Sequence, residues 1–394
     1  MTLSFSMARV PAIHCGTGTL SRIQSWLKEQ TAQSVLLITG AQSLQRSGHL
    51  QRIEALIKAA GAELNHVSCQ GEPSPGFVDQ LTNTWFGQGI DAVIAVGGGS
   101  TIDLGKAAAA MLPHGNSVLD HLEGVGRGLT HSGICLPYLA VPTTSGTGGE
   151  VSKNAVLSDI GAKGYKKSLR HDNFVPDSVI LDSTLLTGTN AAITAACGMD
   201  AFTQLLEPFL SPQASPLTDA VVWSGLEHLV PNLLAACGEG ANDPEVRLAM
   251  AYAALCSGVG LANAGLGIVH GLAGPIGGWF PIPHGVVCGT LMASAQRQNW
   301  LALQQRAPDH PAIRRMARVG RLMPEGQALK DDADAVEHLS TTLESWVEIL
   351  AIPRLGHYGV ERSDLDRIVN AAQNRNNPID LTPAEIRHLV ERRL

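Results

Sequence analysis

Aromatic side chains are scarce in this chain, at 4% of 394 residues against 42 glycines, a lean composition suited to close backbone approaches. Its cysteines lack any CxxC or paired spacing. Their number is odd, with Cys15, Cys69, Cys135, Cys197, Cys237, Cys256 and Cys288 scattered along a large chain. That pattern argues against a disulfide framework and for buried thiols in a reducing compartment. An excess of positive charge is also missing. A formal net charge of −7 argues against nucleic acid or an anionic membrane as partner, but leaves room for a local site that binds a small anion. No apolar run reaches the roughly 18–20 residues that would span a bilayer. The N-terminal MTLSFSMARVPAIHCG has no charged stretch followed by a long apolar core, so no signal peptide is expected and the chain reads as soluble and cytoplasmic.

What is present describes a globular protein: 44% hydrophobic and 16% charged residues supply ample core, and the length predicts two domains. The first half alternates short apolar runs with helical patterns. SVLLITG (34–40), DAVIAVGGG (91–99), YLAVPTT (138–144) and SVILD (178–182) read as strands, and LSRIQSWLKEQ (20–30) and GHLQRIEALIKAAG (48–61) as helices. Near-continuous apolar strands separated by helices imply a parallel sheet covered on both faces. After about residue 186 strand signals almost vanish. Segments 215–237, 244–265 and 332–352 carry helical periodicity, and Thr382-Pro383 starts a last helix with Glu385 in its first turn. The expected architecture is an α/β domain over 1–186 followed by an all-helical domain over 187–394.

Two glycine-punctuated loops follow strands. GGGSTIDLGKA (97–107) opens a helix, and its glycines let a pyrophosphate approach unpaired backbone N–H groups at the positive end of the helix dipole. It is not the GxGxxG fingerprint, and Gly16-Thr17-Gly18 reads as a structural turn. VPTTSGTGGEVSKNAV (141–156) adds hydroxyls on Thr143, Thr144, Ser145 and Thr147. Loops at the carboxyl ends of neighbouring parallel strands converge where open α/β sheets bind nucleotides.

His270 and His284 flank HGLAGPIGGWFPIPH, read as a Gly/Pro-rich turn that no helix runs through unbroken and that brings the two rings together. Upstream, Asp200 and Gln204 are spaced i, i+4, which puts a carboxylate and an amide on one helix face. Two neutral nitrogens and a carboxylate oxygen form a ligand set for a catalytic divalent metal. Cys197 and Cys288 read as packing residues.

GGGSTIDLGKA, PTTSGTGGEVSKNAVLSD, GMDAFTQLLEPFLS and HGLAGPIGGWFPIPHG, in this order and spacing, resemble the iron-containing (group III) alcohol dehydrogenases. The resemblance covers most of the chain. It implies an NAD(P)-binding α/β domain, a helical metal domain and a catalytic cleft between them, an architecture shared with glycerol dehydrogenases and dehydroquinate synthase. By that likeness Asp200, His270 and His284 fall on metal-ligand positions. Gly98, Gly99, Ser100, Thr143, Thr144, Thr147, Ser152 and Lys166 fall on cofactor positions, and Lys167 is an alternative to Lys166. Asp103 sits where the nicotinamide end is expected, so Asp103, His270 and His284 are the expected catalytic residues. The partners implied are a small alcohol or aldehyde and a second copy of the chain in a homodimer.

Three positions depart from the family pattern. Gln204 replaces the usual second histidine ligand, so either it coordinates weakly or three protein ligands suffice, and both Fe²⁺ and Zn²⁺ remain open. Gly274 replaces a further histidine, removing a proton carrier and opening the pocket. Gly40 stands where NAD-preferring members often place an acid for the ribose hydroxyls, so a 2′-phosphate is tolerated and NADP stays open beside NAD. Phe209, Gly274, Trp279 and Phe280 are expected to shape the pocket without reporting a substrate class. Two other readings stand beside a dehydrogenase: a lyase like dehydroquinate synthase, and a nucleotide-binding protein whose metal site has decayed.

Overall fold

A computed structural model describes residues 4–394. Its strands are β1 (Ala12–Cys15), β2 (Ser34–Gly40), β3 (Glu63–Cys69), β4 (Ala92–Gly97), β5 (Tyr138–Pro142), β6 (Asn154–Asp159), β7 (Tyr165–Arg170) and β8 (Ser178–Leu181). Six of them form one sheet in the order β1-β8-β5-β4-β2-β3, and every pairing in it is parallel. The helices of this half are α1 (Arg22–Glu29), α2 (Ser43–Arg46), α3 (His49–Ala60), α4 (Pro75–Trp85) and α5 (Gly99–Met111). Val35, Leu37, Ile94 and Val96 pack under Ile23, Ile53 and Ile57 on one face. Leu36, Ile38, Val93 and Ala95 pack under Val78, Leu81 and Leu104 on the other. Burial of alternate residues on opposite faces is why β2 and β4 read as unbroken apolar runs.

Three parts of this half carry no such signal. Edge strand β3 (ELNHVSC) and edge strand β1 (AIHC) are partly exposed, and the polar β6–β7 hairpin pairs antiparallel outside the main sheet. The Gly16–Gly18 turn is structural, as expected. Gly18 has φ 82°, and the backbone N–H groups of Gly18 and Leu20 donate to the fully buried Asp182 carboxylate at 3.1 and 2.8 Å.

The sheet ends with β8, and the chain then continues as helices: α6 (Ala191–Leu210), α7 (Pro216–Cys237), α8 (Pro244–Ala264), α9 (Ile268–Trp279), α10 (His284–Arg306), α11 (Pro311–Leu322), α12 (Asp332–Ile349), α13 (Leu365–Ala371) and α14 (Pro383–Glu391). Thr382 caps α14 in a reciprocal box with Glu385. α6 is buried along most of its length, with Phe202, Leu205 and Leu206 in the bundle core. α7 and α8 are long and apolar enough to cross a membrane by length and composition, a property not expected from the sequence reading. Both belong to the bundle. Leu226 and Leu229 of α7 and Met250 and Ala254 of α8 enter its core, while Glu227 and Asn232 lie on the outer side of α7.

The segment after His270 corrects an expectation. It is a helix and not a turn: α9 runs through Pro275, and only residues 280–283 separate it from α10. Proline at 275 removes the donor that would have met the Gly271 carbonyl. The Gln373 N–H donates to that carbonyl instead, at 3.3 Å. A Cβ on Gly271 would lie 1.8 Å from the Gln373 carbonyl oxygen, so glycine is what admits the substitute donor. His270 therefore sits in the first turn of α9, and His284 is the first residue of α10.

Candidate metal and cofactor cleft

β4 and β5 lie side by side, so the loops at their carboxyl ends meet, as the strand pattern predicts. β2 and β4 are also neighbours, and the winding of the sheet reverses between them, which is where such sheets open a crevice. Gly98 precedes α5, and no side chain caps this helix end. Its first-turn N–H groups are thus available to an anion. A Cβ on Gly98 would stand 3.3 Å from Thr144 Oγ1, and one on Gly99 3.0 Å from Thr147 Oγ1. The two loops are in contact, and only glycine permits it without displacement.

The second loop also reaches the bundle. A Cβ on Gly146 would meet Cys197 of α6 at 3.0 Å, and one on Gly148, whose φ is +58°, would meet the Ala254 carbonyl of α8 at 2.5 Å. Gln204 reinforces this joint. Its amide nitrogen donates to the Thr147 carbonyl at 2.6 Å and to Ser257 Oγ at 2.9 Å. A carbonyl only accepts, so the nitrogen side of the amide is committed to the loop.

Beneath α5 lies a buried charge cluster whose lysine sequence reasoning did not single out. Lys106 is 1% exposed, and its ammonium donates to the carbonyls of Gly149 (2.7 Å) and Asn154 (2.6 Å) and to Ser152 Oγ (3.2 Å). Ser152, expected at a cofactor position, is buried and occupied by this lysine. Burial lowers the Lys106 pKa to about 8 against the pull of Asp103 and Glu150. Burial likewise raises Asp103 and Glu150, each to about 7. Lys166 pairs with Glu72 at 2.6 Å, and both lie near enough to His284 to influence its charge. Glu72 is a further residue that no sequence motif indicated.

α6, α9 and α10 bring the metal candidates together. Asp200 Oδ1 is 3.4 Å from His270 Nε2 and 3.7 Å from His284 Nε2. Asp200 is 1% exposed, and this oxygen is buried with no hydrogen-bond partner. A buried carboxylate oxygen without a donor, facing two imidazole nitrogens, fits a cation. Glu207 completes the arrangement. Its Oε2 accepts from His270 Nδ1 at 2.7 Å, and its Oε1 accepts from the Val269 N–H at 2.7 Å. Proton on Nδ1 leaves Nε2 free to coordinate, the usual carboxylate–histidine–metal relay. Glu207 lies seven residues after Asp200, and this i, i+7 spacing on one helix face is the signal that would have found it.

Cys288, read from the sequence as a packing residue, belongs to this cluster instead. Its Sγ lies 3.6 Å from His270 Nε2 and 3.7 Å from His284 Nε2, and the four ligand atoms of Asp200, His270, His284 and Cys288 all fall within 4.8 Å of one another. Cys288 follows His284 by one helical turn on α10, which points both inward. Phe209 is also reassigned: it is 2% exposed in the bundle core, with the Arg315 guanidinium over its ring. Gly274 faces open space, with nothing within 4 Å of where a Cβ would stand.

The metal-free electrostatics are divided: Cys288, Asp200 and Glu207 hold His270 well above its ordinary value against burial, and burial pushes the Cys288 thiol up to about 12. Burial lowers His284 to about 4, with Lys166 and His270 adding to the effect against Asp200, so this ring is neutral at pH 7. Burial raises Asp200, but His284, His270 and Cys288 outweigh it and hold the carboxyl below its ordinary value. Glu207→Gln is expected to lower metal affinity by about 10–100-fold with the fold intact, because the relay to His270 weakens. Competition with a chromogenic chelator measures it, and unchanged affinity would remove Glu207 from the site.

Comparison with known proteins agrees with this geometry. Residues 11–183 match the family model of the iron-containing alcohol dehydrogenases, and residues 194–394 match the C-terminal model of the Fe-containing alcohol dehydrogenase family. Long-chain-alcohol dehydrogenase 1 of Geobacillus thermodenitrificans (strain NG80-2) is 31% identical over 401 residues, covering 98% of this chain and 96% of that protein. NAD-dependent methanol dehydrogenase of Bacillus methanolicus is 28% identical, covering 98% of each. The solved structure of an alcohol dehydrogenase from Oenococcus oeni superposes with a TM-score of 0.87 at 25% identity, covering 99% of this chain and 100% of that one. With an uncapped glycine helix end and a buried unpartnered carboxylate beside two imidazoles already in place, matches along nearly the whole length show that the chain belongs to the iron-containing alcohol dehydrogenase family, as a metal-dependent oxidoreductase acting on alcohols and aldehydes.

Proposed function

We propose that this chain interconverts an alcohol and its carbonyl compound with NAD(H) or NADP(H), in the cleft between an α/β domain (1–186) and a helical domain (187–394). The observation carrying this reading is the buried, unpartnered Asp200 oxygen facing His270 and His284. Asp200, His270 and His284 hold a divalent cation. When bound, the cation polarises the substrate oxygen as a Lewis acid and stabilises developing alkoxide charge, while the nicotinamide exchanges the hydride. Gly98, Gly99 and Ser100 cradle the pyrophosphate, with Thr143, Thr144 and Thr147 alongside. Lys166 and Asp103 lie toward the nicotinamide end, and Ser152 contributes through Lys106. The bundle covers the reacting face and excludes water.

Gly40 ends β2 on the crevice, so no acidic side chain at that position opposes a 2′-phosphate. A lyase acting on a phosphorylated substrate calls for a cluster of cations, and Lys166 of this cleft is already paired with Glu72. Chelator-stripped protein should regain NADH or NADPH oxidation with an aldehyde or ketone only when Fe²⁺ or Zn²⁺ is restored. Activity that does not depend on metal would overturn the reading.

Gly99→Val should weaken cofactor binding roughly tenfold or more, about 1.4 kcal/mol, with metal content unchanged. The added carbons would displace Thr147 and fill the space under the phosphates. Titration by cofactor fluorescence checks it, and an unchanged dissociation constant would put the phosphates elsewhere.

A further inference from the structure

Four potential ligand atoms converge in the metal cleft, and the reading above uses three. Cys288 is fully buried on α10. Its thiol touches both imidazole Nε2 atoms, at 3.6 and 3.7 Å. One S–H can donate to only one of them, so the thiol form leaves the convergence unsatisfied. The Asp200 oxygen in the same cluster has no donor at all. A shared cation satisfies all four atoms at once.

The spacing supports this. A tetrahedral shell with bonds of ~2.0–2.1 Å to nitrogen and oxygen and ~2.3 Å to sulfur sets neighbouring ligands roughly 3.3–3.6 Å apart. Four of the six separations match this, at 3.4 and 3.7 Å between Asp200 and the two imidazoles and 3.6 and 3.7 Å between Cys288 and the same nitrogens, and the other two lie within 4.8 Å. Cys197, by contrast, packs against Gly146 of the cofactor loop.

We propose that Cys288 is a ligand of the catalytic metal, giving an Asp200/His270/His284/Cys288 site in which a thiolate takes the fourth protein position. This rests on the metal reading above and deepens it. A soft sulfur donor favours Zn²⁺ over Fe²⁺, a preference that the order of divalent affinities reinforces. The exposed side of His284, whose side chain is 25% exposed, leaves the substrate its approach to the metal as a fifth ligand.

The test is X-ray absorption at the zinc edge on the full-length protein, stripped by chelator and reloaded with Zn²⁺, for wild type, Cys288→Ser and Cys288→Ala. The expected wild-type shell contains one sulfur at ~2.3 Å, absent from both variants. Competition with a chelator should show zinc affinity falling at least tenfold in Cys288→Ser, and the zinc-to-iron affinity ratio falling with it. Circular dichroism of the metal-free forms verifies that the variants fold. A zinc-loaded wild type with only nitrogen and oxygen ligands overturns the Cys288 assignment and leaves the Asp200/His270/His284 reading standing. A sulfur that persists in Cys288→Ala also overturns it. A wild type that takes up no zinc or iron overturns both.

Discussion

Asp200→Ala, His270→Ala and His284→Ala are each expected to yield folded protein that retains no metal and loses at least about a thousandfold in carbonyl reduction, a loss of several kcal/mol of charge stabilisation. The three residues come from three helices, so no one change dismantles the bundle. Their environments predict a graded effect on the metal-free fold. His270 anchors Glu207, whose carboxylate also accepts from the Val269 N–H, so its removal disturbs the start of α9. His284 Nδ1 has no partner, and its removal releases only the Nε2 contacts with Cys288 Sγ and Asp200 Oδ1, each at 3.7 Å. Asp200→Asn in the metal-free protein should cost stability, because His284, His270 and Cys288 favour the charged carboxylate that it removes. Metal analysis, steady-state rates and denaturant unfolding of the stripped proteins measure these outcomes. Full activity at normal metal content in any of the alanine variants contradicts the ligand assignment.

Lys106→Met is the second large effect. The substitution leaves the Gly149 and Asn154 carbonyls without their donor and the Asp103 and Glu150 carboxyls without their buried cation. Breaking a buried charged network in this way costs about 3–5 kcal/mol. Because Gly149 and Asn154 belong to the second cofactor loop, cofactor affinity should fall as well. The pH dependence has a defined sign. Between the ordinary value of 10.5 and the folded value of about 8, the unfolded state holds the Lys106 proton and the folded state does not, so Lys106 contributes stability that rises with pH through that window. Asp103 and Glu150 contribute the opposite slope. Their folded values near 7 lie above 3.8 and 4.5, so the folded state holds the extra protons and stability falls as pH rises to about 7. In Lys106→Met the rise above pH 8 should disappear. Urea unfolding at a series of pH values follows it, and an unchanged profile would place the lysine outside the network.

How legible these features were depended on burial geometry. β2, β4, β5 and β8 are covered on both faces and appear as apolar runs, whereas β1 and β3 lie at the edges, where half-exposed residues dilute the pattern. α9 was hidden for a different reason. Local rules forbid proline and four glycines in a helix interior, but the Gln373 N–H makes up the missing bond, and Gly278 lets the helix pack against Tyr165 of β7. In the cleft, the residues carried by glycine loops and paired histidines stood out. Glu207 and Lys106 sit inside the same motifs and Cys288 three residues beyond the last, yet each acts through a contact across 18 to 63 residues of chain. Spacing along one helix indicates which residues share a face, but not which neighbour that face meets. Gln204 shows the limit well: its spacing from Asp200 indicates the shared face, but not that its nitrogen is held by Thr147 on another element.

The central claim is that one cation, held by Asp200, His270 and His284, makes this cleft a dehydrogenase. Its most direct measurement is a titration of chelator-stripped protein with Fe²⁺ and with Zn²⁺, following bound metal and aldehyde-dependent NADH or NADPH oxidation in the same samples. Activity should rise in proportion to occupancy and saturate at one metal per chain, and His270→Ala should show neither. Activity in the stripped protein, or metal uptake by His270→Ala equal to wild type, would contradict it.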